Sequence, residues 1–452
     1  MSAPWTCACA RVIVGRVPNR TDDHRTTRRL AWAGRTYLIQ TGATVVSGLG
    51  NAGAPIATAF AVLAMGGGAS EIGYVTGARL LTTMLFLLIG GAVADRLPRH
   101  RVMVAANACN ALSQGTLAVL VLAGSAQLWQ LVLLSGAGGV GQAFFAPAAE
   151  GVIMESVDQR QAPRAFALFR TAMNSSQIGG AALGGALVAA AGPGWVLALD
   201  AACFTAAGAM RLFIRPAAAA PRRAGPGMMA DLRDGWREFT SRRWLWTVVV
   251  QYGVVNACLI AAESVLGPIA ADQRLGGAGP WGLANAAMGA GLVAGGLLMV
   301  RWQPRRILLA GNAGVLLFAL PAVALAFSAP FPVLAWSMFA SGIGGTVFGV
   351  NWMIALQQEI PAEKFSRVAA YDWCGSVALA PVGTAVAGPL AGGLGLDDAL
   401  WACAGLMTLL SLLVLAVPEV RRLSRDTPAP ATPAVPATPH ATESARTEPA
   451  RA

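Results

Sequence analysis

Long apolar runs separated by short charged knots organise this chain. Six fall at about residues 38–66, 73–94, 102–123, 127–149, 167–190 and 194–213. Six more follow at about 244–270, 281–300, 306–327, 331–356, 368–391 and 397–417. Each holds about the 20 residues that a helix needs to cross a hydrocarbon core of roughly 30 Å. The runs are continuously apolar instead of alternating, so helices are predicted and not the strands of a barrel. Glycine and proline inside them are compatible with helix, because neighbouring membrane helices satisfy the backbone groups that these residues free.

Three segments break the pattern. Residues 214–243 contain Pro216, Pro221, Arg222, Arg223 and Pro226, then Asp231-Leu232-Arg233-Asp234-Gly235-Trp236-Arg237-Glu238. Apolar residues three and four apart among those charges predict a short amphipathic helix lying on a membrane face. Residues 1–36 are rich in arginine and lead into no short apolar run with a small-residue cleavage site. A disordered basic tail is expected there, not a cleaved signal peptide. Residues 419–452 are rich in Pro, Ala and Thr and lack the apolar residues of a core, so a disordered tail is expected. The chain thus divides into 1–36, a first six-helix half at 37–213, a linker at 214–243, a second half at 244–418 and the tail. The predicted fold class is an all-α polytopic membrane protein of twelve transmembrane helices.

Composition agrees. Charged residues are 12% of 452, about half the usual share in soluble domains, against 55% hydrophobic, and the mean hydropathy is +0.56. The formal charge of +11 does not make a nucleic-acid surface, since the arginines occupy short loops with little aromatic interleaving. They fall in alternate loops instead: Arg96, Arg99 and Arg101; Arg160 and Arg164; Arg215 through Arg243; Arg301, Arg305 and Arg306; Lys364 and Arg367; Arg421, Arg422 and Arg425. The intervening loops hold little beyond Arg274. By the positive-inside rule both ends are expected in the cytoplasm. Seven scattered cysteines and three histidines suggest no metal site. The absence of Gly-x-x-x-x-Gly-Lys-Ser/Thr argues against ATP-driven pumping. Neither an enzyme nor a cofactor is expected.

The halves echo each other. Ser135-Gly136-Ala137-Gly138-Gly139 matches Ser341-Gly342-Ile343-Gly344-Gly345, at an offset near 206. Six spans per half give parallel insertion and an axis along the membrane normal, with a solute path between the halves. The charged stretch Gly91 to Arg101 resembles the signature loop of the major facilitator superfamily: Gly91, Asp95, Arg96, Arg99 and Arg101 are present, with Val93 at a Leu position, Pro98 for Gly and His100 where a cation is usual. Ser47-Gly48-Leu49-Gly50-Asn51, Phe144-Phe145-Ala146-Pro147-Ala148 and Arg367-Val368-Ala369-Ala370-Tyr371-Asp372 resemble the branch containing the bacterial enterobactin exporter and the transmembrane secretion effectors. Asn51 stands where that branch usually has Asp. The resemblance implies a secondary transporter, a proton-coupled exporter of a small hydrophobic or amphiphilic compound such as a drug, siderophore or secondary metabolite. A lipid or lysophospholipid flippase and a transport-inactive scaffold or sensor are the alternatives. The expected partners are the small molecule, protons and the lipid bilayer, and a monomer is expected.

Residues follow from these readings. Gly91, Asp95, Arg96, Arg99 and Arg101 are expected to form a conformational gate. Asp200, Glu263 and Asp372 are acids inside spans, where a carboxyl that gains and loses a proton serves coupling. Arg79, a cation in the second span, needs a cavity or partner unless it reaches the outer interface. Asn51, Asn174, Gln177 and Asn256 are candidate cavity contacts, alongside Arg79. Asn107, Asn110, Asn285, Asn312 and Asn351 are expected to bridge helices. Trp352, Tyr371 and Trp373 read as interfacial anchors in preference to cavity walls. No catalytic residue is assigned.

Overall fold

The computed structural model describes residues 34–157, 161–214 and 228–425. The first half consists of α1 (Arg35–Ala64), α2 (Ala69–Arg96), α3 (Arg99–Leu122), α4 (Leu128–Glu155), α5 (Ala162–Ala191) and α6 (Pro193–Leu212). After α7 (Met228–Ser241) come α8 (Arg243–Ala261), α9 (Gly267–Arg274), α10 (Ala278–Arg301), α11 (Ile307–Val315), α12 (Ala319–Ala326), α13 (Phe331–Glu359), α14 (Ala362–Val377), α15 (Ala380–Leu394), α16 (Leu396–Ala416) and α17 (Pro418–Arg422). Ten helical segments among the described residues are long and apolar enough to cross a membrane, counting α8–α9, α11–α12 and α14–α15 as one each. The 28-residue α2 and 30-residue α5 are as long, and they pack among the others.

Three apolar runs predicted as unbroken are interrupted, each next to a proline. Proline has no N–H to offer the preceding turn. A π turn at Ala262–Leu266 precedes Pro268, a 3₁₀ turn at Leu316–Phe318 precedes Pro321, and α14 gives way to α15 just before Pro381. The last break has a visible result: the Ser376 carbonyl accepts from Asn256 Nδ2 at 3.0 Å.

The internal repeat reappears as matched packing. α2 lies on α4 as α10 lies on α13, and α3 on α4 as α11 on α13. The glycine runs bring these pairs together. Gly139 rests on the Arg79 carbonyl, and Gly342 on the Met288 carbonyl. Thr82 Oγ1 donates to the Gly136 carbonyl at 2.8 Å. In the second half Thr346 Oγ1 donates to the Leu292 carbonyl, also at 2.8 Å.

The halves meet along two seams, α5 with α10 and α2 with α15. A Cβ built on Gly185 would stand 2.5 Å from the Gly282 Cα and 2.8 Å from the Ala278 carbonyl oxygen. In the other seam Gly73 lies on the Thr384 carbonyl and Gly388 on the Ser70 backbone. These close approaches fall toward the end of the bundle carrying the α1–α2 and α5–α6 turns, away from α7. The π turn packs against α1 and α2 near the same end.

Helix α7 is bound to the second half. Glu238 accepts from Lys364 Nζ at 2.8 Å and from Arg242, whose Nη1 reaches Glu359 at 3.2 Å. Trp236 and Phe239 pack on Tyr371, with ring centroids 5.5 and 6.1 Å away. Tyr371, read as an interfacial anchor, thus docks the linker helix.

Candidate functional site

In the first half, Arg79 Nη2 on α2 donates to Asn51 Oδ1 on α1 at 2.7 Å. The cation therefore has a neutral partner where the resemblance leads one to expect an acid. The acid is supplied from α6. Asp200 is wholly buried, neither of its carboxylate oxygens has a hydrogen-bond partner, and it lies within electrostatic reach of Arg79. Gly50 makes its room: a Cβ there would be 2.8 Å from both the Cα and Oδ1 of Asp200. Asn51, Arg79 and Asp200 thus form one polar centre on three helices.

Asn174 and Gln177 are exposed on α5. Each precedes by one helical turn a residue that touches α10: Ile178 lies on Gly289, and the Ala181 carbonyl on Gly282. Residues four apart share a helix face, so both amides front the space between the halves beyond the end of the seam.

The second half contains a cavity of about 310 Å³, bounded by Tyr252, Asn256, Phe348, Trp352, Asp372 and Trp373. Tyr252 stacks on Phe348 with centroids 4.6 Å apart, and Phe348 stacks on Trp352 at 5.8 Å. Trp352 Nε1 donates to Asp372 Oδ2 at 3.0 Å, and Ser376 also hydrogen-bonds the carboxylate. This corrects the anchoring role expected for Trp352, which is 8% exposed and forms a cavity wall. Trp373 is 47% exposed and lines the same cavity. Asn256 reaches Ser376 across the helices and also lines it.

Glu263 stands apart from this cavity, in the first turn of the π segment, and its buried Oε1 has no partner. A π turn inside a helix often marks a functional position, and this one lies where the two halves meet.

Of the charged stretch, Gly91, Asp95 and Arg96 occupy the last turns of α2; the side chains of Asp95 and Arg96 lie outside the described residues. Arg99 begins α3 and its guanidinium covers Gly151 of α4. Arg101 borders a groove of about 400 Å³ between α2, α3 and α4, walled by Val93, Leu97, Val102, Ala106 and Phe144.

The amides expected to bridge helices divide. Asn110, Asn285, Asn312 and Asn351 each donate to the carbonyl four residues back in their own helix, an acceptor within reach of a short side chain, and Asn351 Nδ2 also bridges to Met299 Sδ on α10 at 3.9 Å. Asn107 bridges, with its amide oxygen turned to accept from Arg211 Nη1 at 2.7 Å. Arg211 was not foreseen. It is wholly buried at the end of α6, donates to Gln40 Oε1 at 3.1 Å and Thr44 Oγ1 at 2.9 Å, and lies 4.7 Å from the Phe145 ring centroid. In the sequence it looks like one more arginine leaving a span, and its neutral partners carry no charge signal.

Residues 41–378, most of the chain, match the sequence profile of the Major Facilitator Superfamily. The multidrug efflux pump Tap of Mycolicibacterium fortuitum is 28% identical over 389 residues, covering 81% of this chain and 92% of Tap. YfiS of Bacillus subtilis (strain 168), an uncharacterized MFS-type transporter, is 26% identical over 337 residues, covering 71% of this chain and 78% of YfiS. Among solved structures, the nucleoside transporter NupG superposes with a TM-score of 0.67 at 12% identity, over 85% of this chain and 99% of NupG. A bacterial homolog of the human lysosomal transporter Spinster, captured inward-facing and unoccupied, superposes with a TM-score of 0.64 at 13% identity, over 86% and 98%. At such identities the superpositions speak for the fold alone, and they agree with the helical bundle. The profile match over most of the length places this chain in the Major Facilitator Superfamily.

Proposed function

We propose that this protein is a proton-coupled exporter of small hydrophobic or amphiphilic compounds. Its two six-helix halves, twelve spans in all with both ends cytoplasmic, work by alternating access in a bacterial inner membrane. The observation that carries the reading is a buried acid in each half whose oxygens lack hydrogen-bond partners, both of Asp200 and Oε1 of Glu263; a separate cavity in the second half is walled by apolar and aromatic side chains. A charged carboxylate needs water or a cation, whereas a neutral carboxyl tolerates a dry site. Alternating exposure therefore lets such a group take up a proton on one side and release it on the other. Asp200 and Glu263 are the coupling residues in this reading. The α5–α10 and α2–α15 seams are the outer closure, so the conformation is open toward the cytoplasm, and the stretch Gly91–Arg101 is the inner gate. The similarity to a multidrug efflux pump supports export over uptake.

The test compares metabolites of cells and medium in the native host, a deletion strain, and the deletion complemented with wild type or with Asp200→Asn. Export requires a compound that accumulates in deleted cells and returns to the medium with wild type but not with Asp200→Asn. A compound left unused in the medium by the deletion strain would mean import and would sink the reading. The apolar groove bordered by Arg101 favours a second reading, movement of a lipid or lysophospholipid with its headgroup at the arginine. Altered leaflet distribution of a labelled lysophospholipid in proteoliposomes, with no metabolite difference between strains, would select it.

A further inference from the structure

We infer that the cavity of the second half is a recognition site for lipophilic organic cations, with Asp372 as counter-charge and the Tyr252–Phe348–Trp352 stack and Trp373 as its aromatic walls. The inference rests on the transporter reading and names the cargo chemistry of one site within it.

Four observations converge. First, Asp372 borders the cavity and forms no ion pair among the described residues; Trp352 Nε1 and Ser376 hold it by hydrogen bonds. Those bonds fix the carboxylate without cancelling its charge. The nearby cation of α14, Arg367, lies instead against Gly235 of the linker helix. Second, the walls are aromatic on several sides. Tyr252 of α8 and Phe348 and Trp352 of α13 form one continuous stack, and Trp373 stands exposed beside Asp372. Ring faces attract cations through their quadrupole, most strongly once water is excluded. Third, Trp244 closes the stack from behind, edge-on to Trp352 at 5.7 Å. The rings are thereby held in place instead of being ordered by the ligand, which spares binding that entropy. Fourth, the remaining polar groups, Asn256 and Ser376, are tied to each other, and the site presents no cation to hold an anion. A volume of about 310 Å³ is at the small end for drug-sized ligands. A compound of a few rings with one diffuse positive charge fits these features. A carboxylate or phosphate does not, because it would meet Asp372 with no arginine to offset it.

The test measures equilibrium binding of tetraphenylphosphonium and of its neutral relative triphenylphosphine oxide to the purified full-length protein in nanodiscs, with empty nanodiscs subtracted. The wild type should bind the cation at least tenfold more tightly than the neutral compound. Asp372→Asn should lose at least tenfold for the cation and change binding of the neutral compound by less than threefold. Asp372→Glu, which keeps the charge, should recover most of the cation binding, and thermal melting identifies any variant that misfolds. Cation binding equal in wild type and Asp372→Asn overturns the inference. So does wild type that binds the cation no better than the neutral compound, and so does a well-folded Asp372→Asn that loses both ligands equally. Proton-driven export of a neutral compound by the same preparation in vesicles is scored separately. If that export persists without cation selectivity, the cargo assignment fails and the exporter reading stands; if no gradient-driven movement of any cargo occurs, the exporter reading itself fails.

Discussion

Gly185→Ala is the smallest change that should alter how the two halves meet. In the seam between α5 and α10 the added carbon would stand 2.5 Å from Gly282 Cα and 2.8 Å from the Ala278 carbonyl oxygen. Carbon atoms rest about 3.5–4.0 Å apart, so the helices must part by about 1 Å, a gap that forfeits a quarter to a half of each dispersion contact it opens. Overpacking of this kind costs about 1–3 kcal/mol. The strain exists only while the seam is shut. At about 2 kcal/mol it shifts the balance between shut and open seams roughly thirtyfold toward open, since about 1.4 kcal/mol is tenfold. The assay is the distance between spin labels on Ala191 and Gln273, both exposed near this end of the bundle, in a background without other cysteines. Gly185→Ala should enlarge the population at long distance. Gly296→Ala on α10, where a Cβ meets nothing within 4 Å, should leave the distribution as in wild type. Unchanged distances in Gly185→Ala would refute the argument, because the close approach would then not limit the shut state.

Two further outcomes follow from groups outside the cavity. Arg211→Met should lower stability by about 3 kcal/mol, because it strands Gln40, Thr44 and Asn107 without their donor, and a buried unsatisfied group costs about 1–3 kcal/mol; Arg211→Lys should not rescue it, since one ammonium cannot match the planar fork that serves three helices. Thermal unfolding in detergent reads this, and a melting temperature equal to wild type would contradict it. The Glu238 carboxyl is held below its ordinary range, first by the hydrogen bond from Lys364, with burial opposing and Arg242 assisting. A depressed carboxyl stabilises the docked helix above its unfolded value and loses that contribution as pH falls through its lowered folded value. Protection of the α7 amides, taken as the intrinsic exchange rate at each pH divided by the observed one, should therefore be high at neutral pH and fall under acid, and Glu238→Gln should show lower protection at neutral pH and no acid step.

The spans were legible because lipid leaves a helix few ways to satisfy its backbone, so apolar length alone marks them. The breaks near Pro268, Pro321 and Pro381 were marked by the prolines, but the type of turn each adopts depends on neighbours. The glycine-rich repeat showed where helices approach, and the seam partner of Gly185 required the fold. Asp200 and Arg79 were visible as charges in apolar runs. That Asn51 joins them while the acid comes from α6 was not visible, since it depends on which faces of three helices converge. Trp352 was misjudged for a related reason: on an apolar span, an aromatic that anchors and one that lines a cavity have the same sequence context.

The buried Arg211 also bears on how the first half is assembled. Its acceptors Gln40 and Thr44 lie 171 and 167 residues earlier, and Asn107 is on the third helix. During synthesis the early helices enter the membrane with these polar groups unmatched, and α6 arrives with a cation that lipid disfavours. No subset lacking the sixth helix can resolve both mismatches. The half therefore gains its final packing in one late step, when its last span docks. Chains stopped before that point leave Gln40, Thr44 and Asn107 without their donor inside the membrane, so completion of this half turns on a single residue at its far end.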